Sequence, residues 1–232
     1  MTNAVLMASG MGTRMRPLTN HTPKPLISVC GKPMIETIIE GLRQAEVDNI
    51  YIVTGYLREQ FNYLVDKYPG IQLIENTDYE TVNNISSIHA ARKQLSQADC
   101  FICEADLYVA DLTIFSYDLK DSCYYGRMVE GHSDDWVFEQ DEKGVITRVG
   151  KVGDNCYNMV GVAFFKQREA AIIADAIAQR YGTEGYEELF WDDVVNECLD
   201  KLDLRIQPVS REQIVEIDTV EELEEVNQRF SR

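Results

Sequence analysis

Leu6-Met7-Ala8-Ser9-Gly10-Met11-Gly12-Thr13-Arg14-Met15-Arg16-Pro17-Leu18-Thr19, followed closely by Thr22-Pro23-Lys24-Pro25-Leu26, is the stretch from which the rest of the chain can be read. A short apolar run ends in a glycine-rich loop. Gly10 and Gly12 let the backbone approach a ligand closely and turn its N–H groups toward oxygen anions. Arg14 and Lys24 add positive charge that no nearby carboxylate neutralises: residues 1–35 hold four of the 22 basic residues and none of the 39 acidic ones. The loop is not a Walker A motif, because no Gly-Lys-Ser/Thr follows. Nor is it a dinucleotide fingerprint, because the third glycine is missing. It reads as a site for a phosphorylated ligand.

Strand and helix signals alternate from this point. Residues 4–8 form the first strand. Apolar residues at Ile35, Ile38, Ile39 and Leu42 predict a helix over 34–45. Residues 49–54 read as a strand, 57–68 as a helix, 72–75 as a strand, 85–95 as a helix and 100–104 as a strand. This order predicts an α/β fold, Rossmann-like, with a mixed, mainly parallel sheet and helices on both faces. The pattern then changes to a small antiparallel elaboration. Strands are expected at 122–130, 136–140, 145–149 and 157–165, with Asp141-Glu142-Lys143-Gly144 as a hairpin turn. Helices follow at about 167–180 and 187–199, short strands at 205–208 and 214–217, and an acidic helix at 220–230. No linker or repeat interrupts the chain, so one domain over 1–232 is expected. The glycine-rich loop and the alternating elements fall in a first half of about 1–110, and the changed pattern fills a second half of about 111–232.

Composition removes other classes. At 45% hydrophobic, the 232 residues can build a sizeable core. The longest uninterrupted apolar run, Met159–Phe165, is far short of the roughly 20 residues that span a bilayer. A net charge of −17 leaves little with which to neutralise a nucleic-acid backbone. Neither membrane insertion nor nucleic-acid binding is expected. The six cysteines show no disulfide framework, which points to a cytoplasmic setting. Cys100 and Cys103 are three apart on an apparent strand, so they face opposite sides and cannot share a metal.

Three acids make independent sense. Asp106 follows a buried strand and so sits at the carboxyl edge of the sheet, where open α/β sheets bind ligands. Glu216 and Asp218 are two apart on an extended segment and face the same way. Three oxygen donors from two segments suit Mg²⁺. Asp218 also reads as an N-cap for the last helix, a role compatible with metal ligation. Glu104 shares a strand face with Asp106, as a supporting or a solvated acid. The only tryptophans, Trp136 and Trp191, each adjoin acidic pairs, Asp134-Asp135 and Asp192-Asp193. They read either as core aromatics or as walls around a quaternary ammonium. Asn83-Asn84 reads as a base-reading pair or as a turn and helix cap.

The opening stretch, Gly31-Lys32-Pro33-Met34-Ile35-Glu36, Asp106 and Glu216-Ile217-Asp218 together resemble the nucleotidyltransferases of the pyrophosphorylase, GT-A-like family. More narrowly, Gly55-Tyr56-Leu57-Arg58-Glu59-Gln60-Phe61, Asn83-Asn84, Glu104-Ala105-Asp106-Leu107-Tyr108, Trp136 and Phe190-Trp191-Asp192 resemble the bacterial CTP:phosphocholine cytidylyltransferases. The resemblance implies transfer of CMP from CTP to phosphocholine, with Mg²⁺ as cofactor. It implies Lys24 and Arg14 as catalytic groups and a nucleotide site of Ala8, Ser9, Gly10, Met11, Gly12, Thr13, Asn83, Asn84 and Ser86. The acceptor would meet Trp136, Phe190, Trp191 and Asp192, and the metal Asp106, Glu216 and Asp218. A 2-aminoethylphosphonate acceptor is the alternative, since its primary ammonium would favour carboxylates over an aromatic box. A sugar-1-phosphate acceptor would need a polar pocket, and a catalytically dead nucleotide-binding domain would not need Arg14, Lys24 and the acids. A homodimer and fusion to a kinase domain both stay open.

Overall fold

The protein is described by a computed structural model over residues 1–230. Strand β1 (Thr2–Ala8) is central in a seven-stranded sheet and is apolar on both faces. That double burial explains its unbroken hydrophobic run. Two small strands, β2 (Ser28–Val29) and β3 (Lys32–Pro33), lead into α1 (Met34–Gln44). Then come β4 (Asn49–Thr54), α2 (Asn62–Lys67), β5 (Ile71–Glu75), α3 (Ile85–Leu95) and β6 (Asp99–Glu104). The predicted helix over 57–68 begins late, because Leu57 adopts a left-handed conformation (φ 49°) and a 3₁₀ turn precedes α2.

The second half contains β7 (Leu107–Val109), β8 (Ser122–Gln140), β9 (Ile146–Phe165), α4 (Gln167–Arg180), α5 (Trp191–Glu197), β10 (Leu204–Pro208), β11 (Ile214–Glu216) and α6 (Val220–Phe230). The sheet order is β10-β8-β9-β6-β1-β4-β5, and β9 alone runs against the others. Ala4, Leu6 and Ala8 pack with α1 and α2 on one face, while Val5 packs with α3, α4 and α5 on the other. Cys103 and Cys100 fall in these two opposite layers, as the strand alternation requires. A third cluster joins Leu223 and Val226 of α6 to Met15, Ile27, Val29 and Ile217. It ties the loop after β1 to the end of the chain, and each buried aliphatic contributes about 1.5–3 kcal/mol.

Two expectations are corrected. The four strands foreseen over 122–165 are two long ones, joined by a turn in which Asp141 accepts from the Lys143 and Val145 amides. Both bend, so Val137 pairs with Gly150 on one side and Asn158 on the other. The helix foreseen over 187–199 is confined to α5, because Asp193 accepts the Phe190 amide and fixes the start there. No helix among the described residues is long and apolar enough to cross a membrane.

Candidate active site

The loop after β1 takes its shape from Gly12. Its φ is +58°, and a Cβ there would lie 2.9 Å from the Lys24 Cβ and 3.1 Å from the Thr19 methyl. The Gly12 carbonyl accepts from the Met15 amide (3.0 Å) and the Thr19 hydroxyl (2.8 Å). Tyr56 donates to the Thr19 carbonyl at 2.9 Å, so the next βα connection braces the loop. Gly10 has nothing within 4 Å of where its Cβ would be and leaves open space above the strand end. Among the described residues, no acceptor within the protein takes the N–H groups of residues 10–14. They are free for an oxyanion.

The carboxylates arrive through pairing that sequence spacing does not reveal. β7 follows β6 directly, and β11 lies antiparallel to it, with Leu107 opposite Glu216. Asp106, Glu216 and Asp218 thereby present oxygens within 4.8 Å of one another. The Lys24 ammonium, 7% exposed, reaches Asp106 Oδ2 at 2.5 Å and Asp218 Oδ1 at 2.6 Å. Arg14 reaches Asp218 Oδ1 at 2.7 Å while remaining largely exposed. Burial alone would lower the Lys24 pKa, but Asp106 and Asp218 outweigh it and hold the ammonium above its ordinary value. Glu216 is pushed up to about 8, first by loss of water and then by repulsion from Asp106 and Asp218. Near neutral pH Glu216 therefore keeps its proton, and Lys24 and Arg14 balance the charges of Asp106 and Asp218. Asp218 is not the cap of α6. Thr219 fills that role, accepting from the Glu222 amide at 3.2 Å while Glu222 accepts the Asp218 and Thr219 amides. The Asp218 carboxylate is left to the cleft.

This cleft, about 620 Å³, is lined by Ala8, Ser9, Gly10, Gly12, Thr13, Asn83, Asn84 and Ser86, along with Lys24, Arg14 and the three acids. Met11 is not among its lining residues. Ser9 and Ser86 belong to a buried network through Asn76, whose amide donates to both hydroxyls. Asn84 accepts the Trp191 amide at 2.9 Å, and Asn83 takes the Glu187 carbonyl through its own amide. Asn84 thus pins α3 to the start of α5 and Asn83 pins it to the turn before, and neither caps α3 with its side chain. Glu36, from the second motif, lies away from the cleft and accepts from Tyr63, Lys67 and Tyr68.

The predicted aromatic walls divide. Trp136 and Phe190 meet edge to face at 5.4 Å on the cleft. Trp191 does not line it: at 3% exposure it stacks on Tyr124 and meets Phe165 edge-on, because the first turn of α5 points inward to the core. A residue that sequence reasoning missed takes the place beside the rings. The Lys151 ammonium lies 4.7 Å from the centre of Phe190 and 5.5 Å from that of Trp136. The β8–β9 hairpin pairs it directly with Trp136, a register that the turn at 141–144 already implied, and Phe190 joins them from the start of α5. Below, Asp192 is 2% exposed and accepts from the Tyr124 hydroxyl at 3.0 Å. Burial pushes its carboxyl up to about 8. Glu104 also opens on the cleft, and a Cβ at Gly161 would strike its carboxylate at 2.7 Å.

The MobA-like NTP transferase domain matches residues 4–121. A 2-aminoethylphosphonate cytidylyltransferase of Lancefieldella rimae is 53% identical over 222 residues, covering 96% of this chain and 90% of that protein. A choline-phosphate cytidylyltransferase of Streptococcus pneumoniae is 34% identical, covering 96% and 97%. The solved structure of a CTP:phosphocholine cytidylyltransferase from the same species superposes with a TM-score of 0.91 at 31% identity, covering 98% of both chains. With a free-amide loop, two cations and three carboxylates at the carboxyl edge of this sheet, the chain belongs to the MobA-like NTP transferase family, and cytidylyltransferases are among its near relatives.

Proposed function

We propose that the chain transfers CMP from CTP to 2-aminoethylphosphonate, releasing pyrophosphate. This revises the phosphocholine expectation in its acceptor and keeps the reaction. The observation that carries it is the pair of acids at the acceptor end: buried Asp192 and half-buried Glu104 open on the cleft, while Trp136 and Phe190 already face the Lys151 ammonium. A primary ammonium donates N–H bonds to carboxyl groups; a quaternary one cannot, and depends on aromatic faces. The similarity to the Lancefieldella rimae protein supports the same acceptor, and that to the pneumococcal protein supports phosphocholine as a second reading.

The acceptor oxyanion attacks the α-phosphorus of CTP, and the bond to the β-phosphate oxygen breaks with its electron pair leaving on pyrophosphate. A phosphonate dianion needs no general base. The chain's task is positioning and charge stabilisation. Free amides at 10–14 hold the triphosphate. Lys24 and Arg14 offset charge growing on the departing group. The donor set of Asp106, Glu216 and Asp218, all hard oxygens converging where Lys24 already bridges two of them, fits Mg²⁺, which would neutralise phosphate oxygens when bound. Pyrophosphate release measured with CTP and three other nucleoside triphosphates, across acceptors bearing none to three N-methyl groups, tests the reading. kcat/KM should be highest with CTP and fall with each methyl added. A series that rises with methylation would return the assignment to phosphocholine.

A further inference from the structure

A second cavity of about 350 Å³ adjoins the first and shares Asp135, Met159, Glu216 and Asp218 with it. Three arginines line it, Arg127, Arg211 and Arg229. Arg127 follows Gly126 of β8, which pairs with Pro208 of β10 and accepts the Val209 amide at 3.0 Å. Arg211 comes immediately after, in the turn that Gln213 closes by donating to Ser210 at 3.1 Å. The β8–β10 pairing therefore brings two like charges together. Arg127 is half-buried, and burial, followed by Arg211, pushes it below its ordinary value.

Neither guanidinium has a hydrogen bond or an ion pair among the described residues, although Asp135, Glu222 and Glu225 line the same cavity. Arg229 in that wall pairs with Glu212 at 2.8 Å, and Arg14 in the main cleft with Asp218. In a chain with 39 acids to 22 bases, half-buried Arg127 thus bears a desolvation cost and the repulsion of Arg211 with no direct acidic partner. An oxyanion bound between them would satisfy both, since the guanidinium fork matches phosphate and phosphonate oxygens.

We propose that Arg127 and Arg211 hold the phosphonate or phosphate group of the acceptor. The assignment rests on the cytidylyl-transfer reading but not on the preference for an amine. In-line displacement puts the attacking and leaving oxygens on opposite sides of phosphorus. The leaving pyrophosphate lies with the 10–14 amides, Arg14 and Lys24. Glu216 and Asp218 line both cavities, and the second one, with Arg127 and Arg211, is the side we assign to the entering acceptor.

The test uses Arg127→Gln, Arg127→Lys and Arg211→Gln, with CTP saturating and 2-aminoethylphosphonate or phosphocholine varied, whichever the wild type turns over. Methylphosphonate, which carries the oxyanion without an amine, serves as competitor. Each glutamine variant should raise the acceptor KM and the methylphosphonate inhibition constant about tenfold or more, leaving the KM for CTP within about twofold. Arg127→Lys should fall between. Unchanged acceptor KM in both glutamine variants overturns the assignment, as does a CTP KM that rises in step. Arg211 is exposed, so its variant decides the matter should Arg127→Gln not fold. Failure of the amine reading would appear separately, as a rising methylation series in a wild type that methylphosphonate still inhibits.

Discussion

Gly12→Ala should damage both stability and turnover, whereas Gly10→Ala should spare the fold. An L-residue at φ +58° costs about 1–2 kcal/mol from backbone crowding alone. The new methyl would sit 2.9 Å from the Lys24 Cβ, against an ordinary carbon contact of about 3.5–4.0 Å, so Lys24 must retreat by roughly half an ångström or more. Crowding of that kind brings the total to about 2–3 kcal/mol. In a chain of this size each kcal/mol moves Tm by about 2–4 °C, which gives a fall of about 4–12 °C. The same displacement pulls Nζ from its 2.5 and 2.6 Å contacts with Asp106 and Asp218, and misplacement approaching 1 Å costs up to about 100-fold in rate. At Gly10 a Cβ meets nothing within 4 Å, so Tm should stay within about 2 °C. Thermal denaturation and pyrophosphate release on the two variants and wild type read both effects. A Gly12→Ala protein that melts with Gly10→Ala would refute the argument that Gly12 is there to seat Lys24.

Asp106→Asn, and separately the pair Glu216→Gln with Asp218→Asn, should raise the Mg²⁺ concentration for half-maximal rate by about tenfold or more, because each removes ligand charge from the trio; an unchanged Mg²⁺ titration in both would dismiss the metal site. Asp192, with its carboxyl raised to about 8 from an ordinary 3.8, keeps in the folded state a proton that the unfolded chain releases between about pH 4 and 8. Its contribution to stability therefore declines as pH rises through that window, and Asp192→Asn should gain Tm relative to wild type at pH 9 compared with pH 5. The same variant should flatten a rise in kcat/KM for the amine acceptor toward pH 8, where wild-type Asp192 becomes ionised; identical profiles for variant and wild type would remove Asp192 from the acceptor site.

Local patterns were enough to locate the elements that the backbone builds from neighbouring residues. The 35-38-39-42 spacing matches the buried stripe of α1, and the run 4–8 reads as a strand because both its faces are covered. Lys24 and Arg14 stood out because the loop around them holds no acid, a property of composition that needs no coordinates. Asp141 and Gly144 marked the hairpin turn through their own side-chain and backbone chemistry.

What escaped was decided by partners distant in the chain. Trp136 and Trp191 looked equivalent, each beside two acids, yet the first faces the cleft and the second turns into the core, because helix phase at α5 was invisible until Asp193 fixed its start. Lys151 sits opposite Trp136 in the hairpin, but Phe190 joins them only through the placement of α5, and Arg127 meets Arg211 only across the β8–β10 pairing. Asp106 and Asp218 are 112 positions apart and share Lys24 because β11 pairs with β7. By itself the sequence determined that an anion-binding loop opens an α/β sheet and that carboxylates gather at its edge, since glycine placement, charge and hydrophobic period are local. Which side chains face one another across the cleft was settled by strand pairing alone, because register between remote segments is an energy of the whole sheet and is written in no single stretch of it.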